Sequence, residues 1–280
     1  MSGNHEKKAG GEEALPPQPP QHEQPAIATT LSSSSPPLVA SSSSSSTLSP
    51  SCNRPEYPIG VPSKFDRDGN VQLFPGNTIV AHLSPSSELY QSMLLLHNKL
   101  ASLSGRFALA MLPPPSWHMT VFEGVCDKVR SPAGFWPCDL ATDATLEECT
   151  KHFAVKLKNF ELETGTPPYR CRITGFSDLE VGVGVHVEFE TADEERRVRR
   201  LRDRLAERLE IRHPQHDRYK LHLSMAYLLR HLTEEQKREL TGVLMGHFEE
   251  MPKRFELGRP EFCTFENMMR FDRLFYLGEK

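Results

Sequence analysis

Two short segments of the chain, Trp117-His118-Met119-Thr120-Val121-Phe122 and Leu221-His222-Leu223-Ser224-Met225-Ala226, each set a histidine and a hydroxyl residue two positions apart in apolar sequence. On a β-strand alternate side chains share a face, so His118 would align with Thr120, and His222 with Ser224. Two such strands side by side would offer two imidazoles and two hydroxyls to one spot. Imidazoles take up and release protons near neutral pH. Hydroxyls are rotatable donors suited to charge developing on phosphoryl oxygens. Together the four groups could hold a phosphate and move protons on and off its esters.

The bare pattern is a weak signal. The chain has 12 histidines, and chance predicts about two matches to His-x-Ser/Thr in so Ser/Thr-rich a sequence. Four occur: His82-Leu83-Ser84, His118-Met119-Thr120, His222-Leu223-Ser224 and His231-Leu232-Thr233. Context separates them. Thr233 precedes Glu234-Glu235-Gln236 and reads as a helix N-cap. Ser84 precedes Pro85 and reads as a cap or turn residue. Only the pairs at 118 and 222 sit inside apolar runs that continue on both sides.

The elements that must position them can be read by periodicity. Strands are expected over 78–83, 106–112, 118–124, 170–176, 181–190, 219–229, 255–265 and 269–277. Helices are expected over 86–103, capped by Ser86 or Ser84, and over 145–160, capped by Thr145 with Glu148 three residues on. Two more fall at 192–209, striped by Val198, Leu201, Leu205 and Leu209, and at 233–248. Each half of the folded part repeats this order of elements and carries one motif strand. The expectation is an α+β fold: two pseudo-symmetric lobes of antiparallel sheet with packed helices, and a cleft between them where the motif strands meet.

Residues 1–53 are rich in Pro, Ser, Gln and Glu and lack aromatics. They cannot bury enough apolar surface to order themselves and are expected to be a disordered tail, leaving 54–280 as the folded domain. The formal net charge of −4 argues against a protein that coats long nucleic acid by charge. The six cysteines show no Cys-x-x-Cys spacing, and no stretch is long and apolar enough for a membrane span or signal peptide. A monomer of the cytoplasm or nucleus, without membrane, metal or cofactor, is the expectation.

The wording Trp117-His118-Met119-Thr120-Val121-Phe122-Glu123-Gly124 and Tyr219-Lys220-Leu221-His222-Leu223-Ser224-Met225-Ala226-Tyr227 resembles the 2H phosphoesterase superfamily, and within it the DUF1868 branch. The resemblance covers about residues 55–280. It implies a two-lobed fold like that of RNA 2′-5′ ligase-like proteins, metal-independent chemistry, and a cyclic nucleotide phosphate or RNA-terminal phosphodiester as substrate. His118 and His222 would then be the general acid–base pair, with Thr120 and Ser224 on the phosphoryl oxygens.

Alternation adds Lys220, two residues before His222, as an ammonium able to attract phosphate, against the alternative of a solvated strand end. Trp117 and Tyr219 flank the motifs and could stack on a base; Phe122 is assigned to packing. His213, His216 and His222 have a ligand-like spacing, but Pro214 and the absence of a nearby cysteine disfavour zinc. The run Arg196-Arg197-Val198-Arg199-Arg200 reads as the solvated face of a helix. The reading opposed to an enzyme is a non-catalytic nucleotide- or phosphate-binding module of the same fold. A third is an interaction scaffold run by the tail.

Overall fold

The computed structural model describes residues 54–279, all within the unit Asn53–Lys280. The tail expected over 1–53 lies outside the described residues. Nine strands build one antiparallel sheet: β1 (Gly76–His82), β2 (Leu109–Met111), β3 (His118–Cys126), β4 (Tyr169–Phe176), β5 (Gly182–Phe189), β6 (His222–Leu228), β7 (Arg254–Leu257), β8 (Glu261–Asn267) and β9 (Arg270–Tyr276). Five helices accompany it: α1 (Glu88–Ser102), α2 (Ser104–Phe107), α3 (Leu146–Leu157), α4 (Ala192–Leu209) and α5 (Glu234–Phe248). The fold is the expected α+β arrangement of antiparallel sheet and packed helices.

The strand order is β7-β4-β5-β6-β3-β1-β8-β9, with β2 also on β6. The lobes, β7-β4-β5-β6 and β3-β1-β8-β9, therefore share one sheet, and the motif strands β3 and β6 meet at its middle. Nor do the lobes coincide with the halves of the sequence. β2, from the first half, pairs with β6, while β8, from the end of the chain, pairs with β1. The β3–β6 seam is thin: Met119 opposite Leu223 is its one registered pair. Further along β6, β2 takes over that edge, Met111 pairing with Ala226.

Local chemistry explains most boundaries. Thr145 and Thr233 cap α3 and α5 in reciprocal capping boxes with Glu148 and Gln236. α1 is capped by Ser87, not by Ser84 or Ser86, which bond each other in the preceding turn. The strand expected over 106–112 is short because α2 occupies its start, ended by Ala108 in the left-handed conformation (φ 50°). The strand expected over 255–265 is two, β7 and β8, parted by Gly258-Arg259-Pro260, where proline lacks the N–H a ladder needs. In β5, Val183, Val185, Val187 and Phe189 are buried as their alternation requires. Gly182 lets the β6 backbone approach closely: a Cβ there would lie 2.0 Å from the Ala226 carbonyl oxygen. α4 buries Val198, Leu201, Leu205 and Leu209 and packs on both β3 and β5, tying the lobes together. Among the described residues no helix is long and apolar enough to cross a membrane.

Candidate functional site

Strand alternation at the seam places the motif side chains. Met119, Val121, Leu223 and Met225 are fully buried, so His118, Thr120, His222 and Ser224 take the opposite face, where all four line one cavity of about 460 Å³. Counting antiparallel register from Met119–Leu223 sets His118 toward Ser224 and Thr120 toward His222. Each imidazole thus sits across from the other motif's hydroxyl, in a pseudo-two-fold quartet.

Both rings are held the same way. His118 Nδ1 lies 2.7 Å from the Ser116 carbonyl oxygen, and His222 Nδ1 lies 3.0 Å from that of Lys220. A carbonyl can only accept, so each Nδ1 carries its proton and donates it. Each Nε2 is left as the working nitrogen, basic in the neutral ring and acidic in the charged one.

The surroundings break the symmetry. The Phe271 ring stands edge-on to His118 with centroids 4.2 Å apart, and His82, paired with His118 across β1–β3, has its ring 5.8 Å away. Burial pushes the His118 imidazole down to about 4, opposed by the Ser116 carbonyl and helped by the nearby His82 and His222. His222 faces Tyr219, 6.1 Å between centroids, and is paired with His186 across β5–β6.

Two expected contacts change. Trp117 is fully buried against Tyr90 and His97, at 5.1 and 5.6 Å; one residue before His118, it points to the opposite side, into the core, and cannot stack on a ligand. Lys220 does not face the cavity. A 3₁₀ turn at His216–Arg218 precedes β6, whose first residue is His222, so strand alternation does not reach back to position 220. Its side chain is exposed along a neighbouring groove with Arg218 and His186. Tyr219 lines both groove and cavity. Burial pushes its phenol up to about 12, with Thr120 opposing the rise, so it is a neutral group beside the quartet. Phe122 is fully buried, a packing residue.

The histidines at 213, 216 and 222 do not converge. His213 Nε2 donates to the Gly124 carbonyl oxygen at 2.7 Å on the cavity wall, and His216 is buried against Asp203 at 3.0 Å. Among the described residues, donor atoms do cluster within 4.8 Å in His82–Glu261–Cys263 and Asp203–His216–Asp217. In each a guanidinium already occupies carboxylate: Arg273 on Glu261 at 3.2 Å, and Arg212 on Asp203 and Asp217 at 3.2 and 2.5 Å. Three of the four arginines in the basic run on α4 are likewise paired within the helix: Arg196 with Asp193, Arg197 with Glu194 at 2.6 Å and Arg199 with Glu195 at 3.3 Å.

Three contributors escaped the sequence reading. Lys64, from the segment before β1, lines the cavity; nothing periodic marks that segment. Arg202 is 1% exposed on the apolar face of α4. It donates to the carbonyl oxygens of Val121 (2.6 Å) and His216 (3.3 Å) and to Glu123 (3.1 Å), and it stacks 4.5 Å over Tyr219. One buried guanidinium thus fixes β3 to the approach of β6. Its signal was an arginine within the stripe of Val198, Leu201 and Leu205. His82, set aside with its motif, bonds Glu261 at 3.0 Å and touches the site electrostatically rather than lining it.

Residues 64–181 match the model of the 2H-phosphodiesterase family described as a domain of unknown function, DUF1868. The match takes in the first motif and stops short of the second. A crystal structure of a conserved protein of unknown function, ATU0111 from Agrobacterium tumefaciens str. C58, is 27% identical over 81% of this chain and 95% of its own, with a TM-score of 0.72; the two share their fold. TT0787 of Thermus thermophilus is 14% identical, covering 73% of this chain and 99% of its own, TM-score 0.42. E. coli LigT complexed with phosphate is 11% identical, covering 74% and 100%, TM-score 0.39. No curated protein matches the chain. The family match supports a phosphodiesterase-type function in general.

Proposed function

We propose that this chain, a member of the 2H-phosphodiesterase family through residues 64–181, opens a cyclic nucleotide phosphate or an RNA-terminal phosphodiester by two-histidine general acid–base catalysis. The observation that carries the reading is the matched pinning of both Nδ1 atoms on carbonyl oxygens, which aims two Nε2 atoms and two hydroxyls into one cavity.

We read the roles from the asymmetry. His118, kept neutral by burial, accepts the proton of an attacking water through Nε2. The water oxygen bonds to phosphorus as the bond to the departing ribose oxygen breaks. His222, as imidazolium, protonates that oxygen, and the two rings return to their starting states by exchange with solvent. Thr120 and Ser224 donate to the non-bridging oxygens, where charge gathers in the transition state. Tyr219, kept neutral by burial, lines the same cavity.

Incubation with 2′,3′-cyclic nucleotides in the presence of a chelator, followed by phosphorus NMR, tests this. A single regioisomer of the monophosphate is expected, and its loss in both His118→Ala and His222→Ala. Full turnover in both variants would sink the catalytic reading. Tight nucleotide binding without product would establish the binding module instead.

A further inference from the structure

The quartet accounts for one phosphate, yet the cavity holds a second site for negative charge. Lys64 reaches into it from the segment before β1. Its ammonium lies 5.3 Å from the centre of the Phe74 ring and 4.9 Å from that of Tyr227, and it donates to the Tyr227 hydroxyl at 3.0 Å. It has no carboxylate partner among the described residues. An ammonium has three protons; one is used, and the aromatic faces hold the charge without neutralising it. Lys128 approaches Phe74 from outside, 6.0 Å from the ring centre, so two cations flank that aromatic.

The carboxylates nearby are occupied. Glu123 is bound by Arg202, Asp127 by Arg130, and Asp66 accepts from Asn70 within its own turn. Lys64 is therefore an unneutralised charge in a half-enclosed, largely apolar cavity, where a partner anion gains more than it would in water. The segment is also anchored: Phe65 is 1% exposed and packs 5.4 Å from Tyr227. Tyr227 sits three residues after Ser224 on β6, and a register shift in the β5–β6 ladder brings it to the quartet's face. The two anion sites are thus built on one strand, with aromatic wall between them.

We infer that Lys64 binds a second phosphate of the substrate, so that the enzyme takes a nucleotide phosphorylated on both sides of its sugar rather than a simple cyclic mononucleotide. This rests on the quartet as the site that binds the first phosphate. The second phosphate could come from a free nucleotide bearing a 5′-phosphate or from the adjoining phosphodiester of an RNA end.

Calorimetry on the full chain separates these sources, using adenosine 3′-phosphate, adenosine 3′,5′-bisphosphate and a 3′-phosphorylated diadenylate. Binding at least roughly tenfold tighter for one of the last two, as a charge-assisted hydrogen bond provides, supports the inference and names the source. The preference should shrink toward one in Lys64→Met, which keeps the unbranched stem between the rings, and should weaken with added salt in the unaltered protein. Equal affinity for all three ligands overturns the inference, as does a preference that survives both Lys64→Met and high salt. If the preference appears and cyclic phosphates are never opened, the catalytic proposal fails while this one stands.

Discussion

The two motif strands carry the same triplet and hold their histidines by the same hydrogen bond, yet they present them to different surroundings. On β3 the imidazole is shut between Phe271 and a second histidine, and burial keeps it neutral. On β6 the imidazole stands beside Tyr219, whose ring also borders an open groove of charged residues. Local sequence therefore repeats the tool, and other strands set its surroundings: Phe271 comes from β9 and His82 from β1. The two imidazoles differ in what packs on each lobe, not in the motifs that carry them.

The strongest way to break the comparison is to remove either ring. His118→Ala and His222→Ala should each lower kcat by about 10²–10⁴, and the double variant should lose little more than either single one, because the rings act as a unit. Independent, multiplying losses would show that they do not serve one step. Next come the hydroxyls. Thr120→Val and Ser224→Ala should each cost roughly ten- to a hundredfold in kcat with smaller changes in KM, as expected for donors used mainly in the transition state. Losses confined to KM would reduce them to ground-state binding groups.

The asymmetry itself is tested by pH. With His118 as the proposed base, its depression to about 4 by burial gives kcat/KM an acid limb near that value, since activity falls once His118 is protonated. Phe271→Ala opens its surroundings, and the limb should move up toward the ordinary histidine value. The same group leaves a signature in stability. Its folded pKa lies below its unfolded one, so its contribution is complete above about 6.5 and is lost as pH falls through that value toward 4. The Phe271→Ala protein should lose less of its own stability over that window. An unmoved limb would place the source of the depression elsewhere.

What the sequence made legible follows from how local each determinant is. Caps at Thr145 and Thr233, the stripe of α4 and the alternation of β5 depend on neighbours a few residues away, and the structure has them. Pairing of β2 with β6, and of β8 with β1, depends on chain returning from more than a hundred residues away, and element order alone does not encode it. Lys64 belongs to a segment whose only ladder contact is an isolated bridge, Phe65 with Val71, so no period announced it. Arg202 was visible as a charge among apolar stripe residues, but its partners Val121 and His216 were not.

The smallest expected effect falls where alternation was carried too far. Lys220 would share the face of His222 only if the strand began before it, and the turn at His216–Arg218 prevents that. What position 220 gives the site is its backbone carbonyl, the acceptor for His222 Nδ1, and that survives any ordinary side-chain substitution. Lys220→Ala should therefore change kcat and KM for a cyclic mononucleotide by less than about twofold, the scale of an exposed charge some distance from the reacting atoms. Lys220→Pro acts on the backbone instead: it disfavours the helical region for Tyr219 and leaves the carbonyl in place. Because Tyr219 already holds extended torsions, φ −58° and ψ 122°, the proline variant should keep most of its turnover. A large loss in Lys220→Ala with the proline variant equally impaired would return the ammonium to the active site. A loss in the proline variant alone would show that the turn, which sets the angle of His222, is what the second lobe cannot spare.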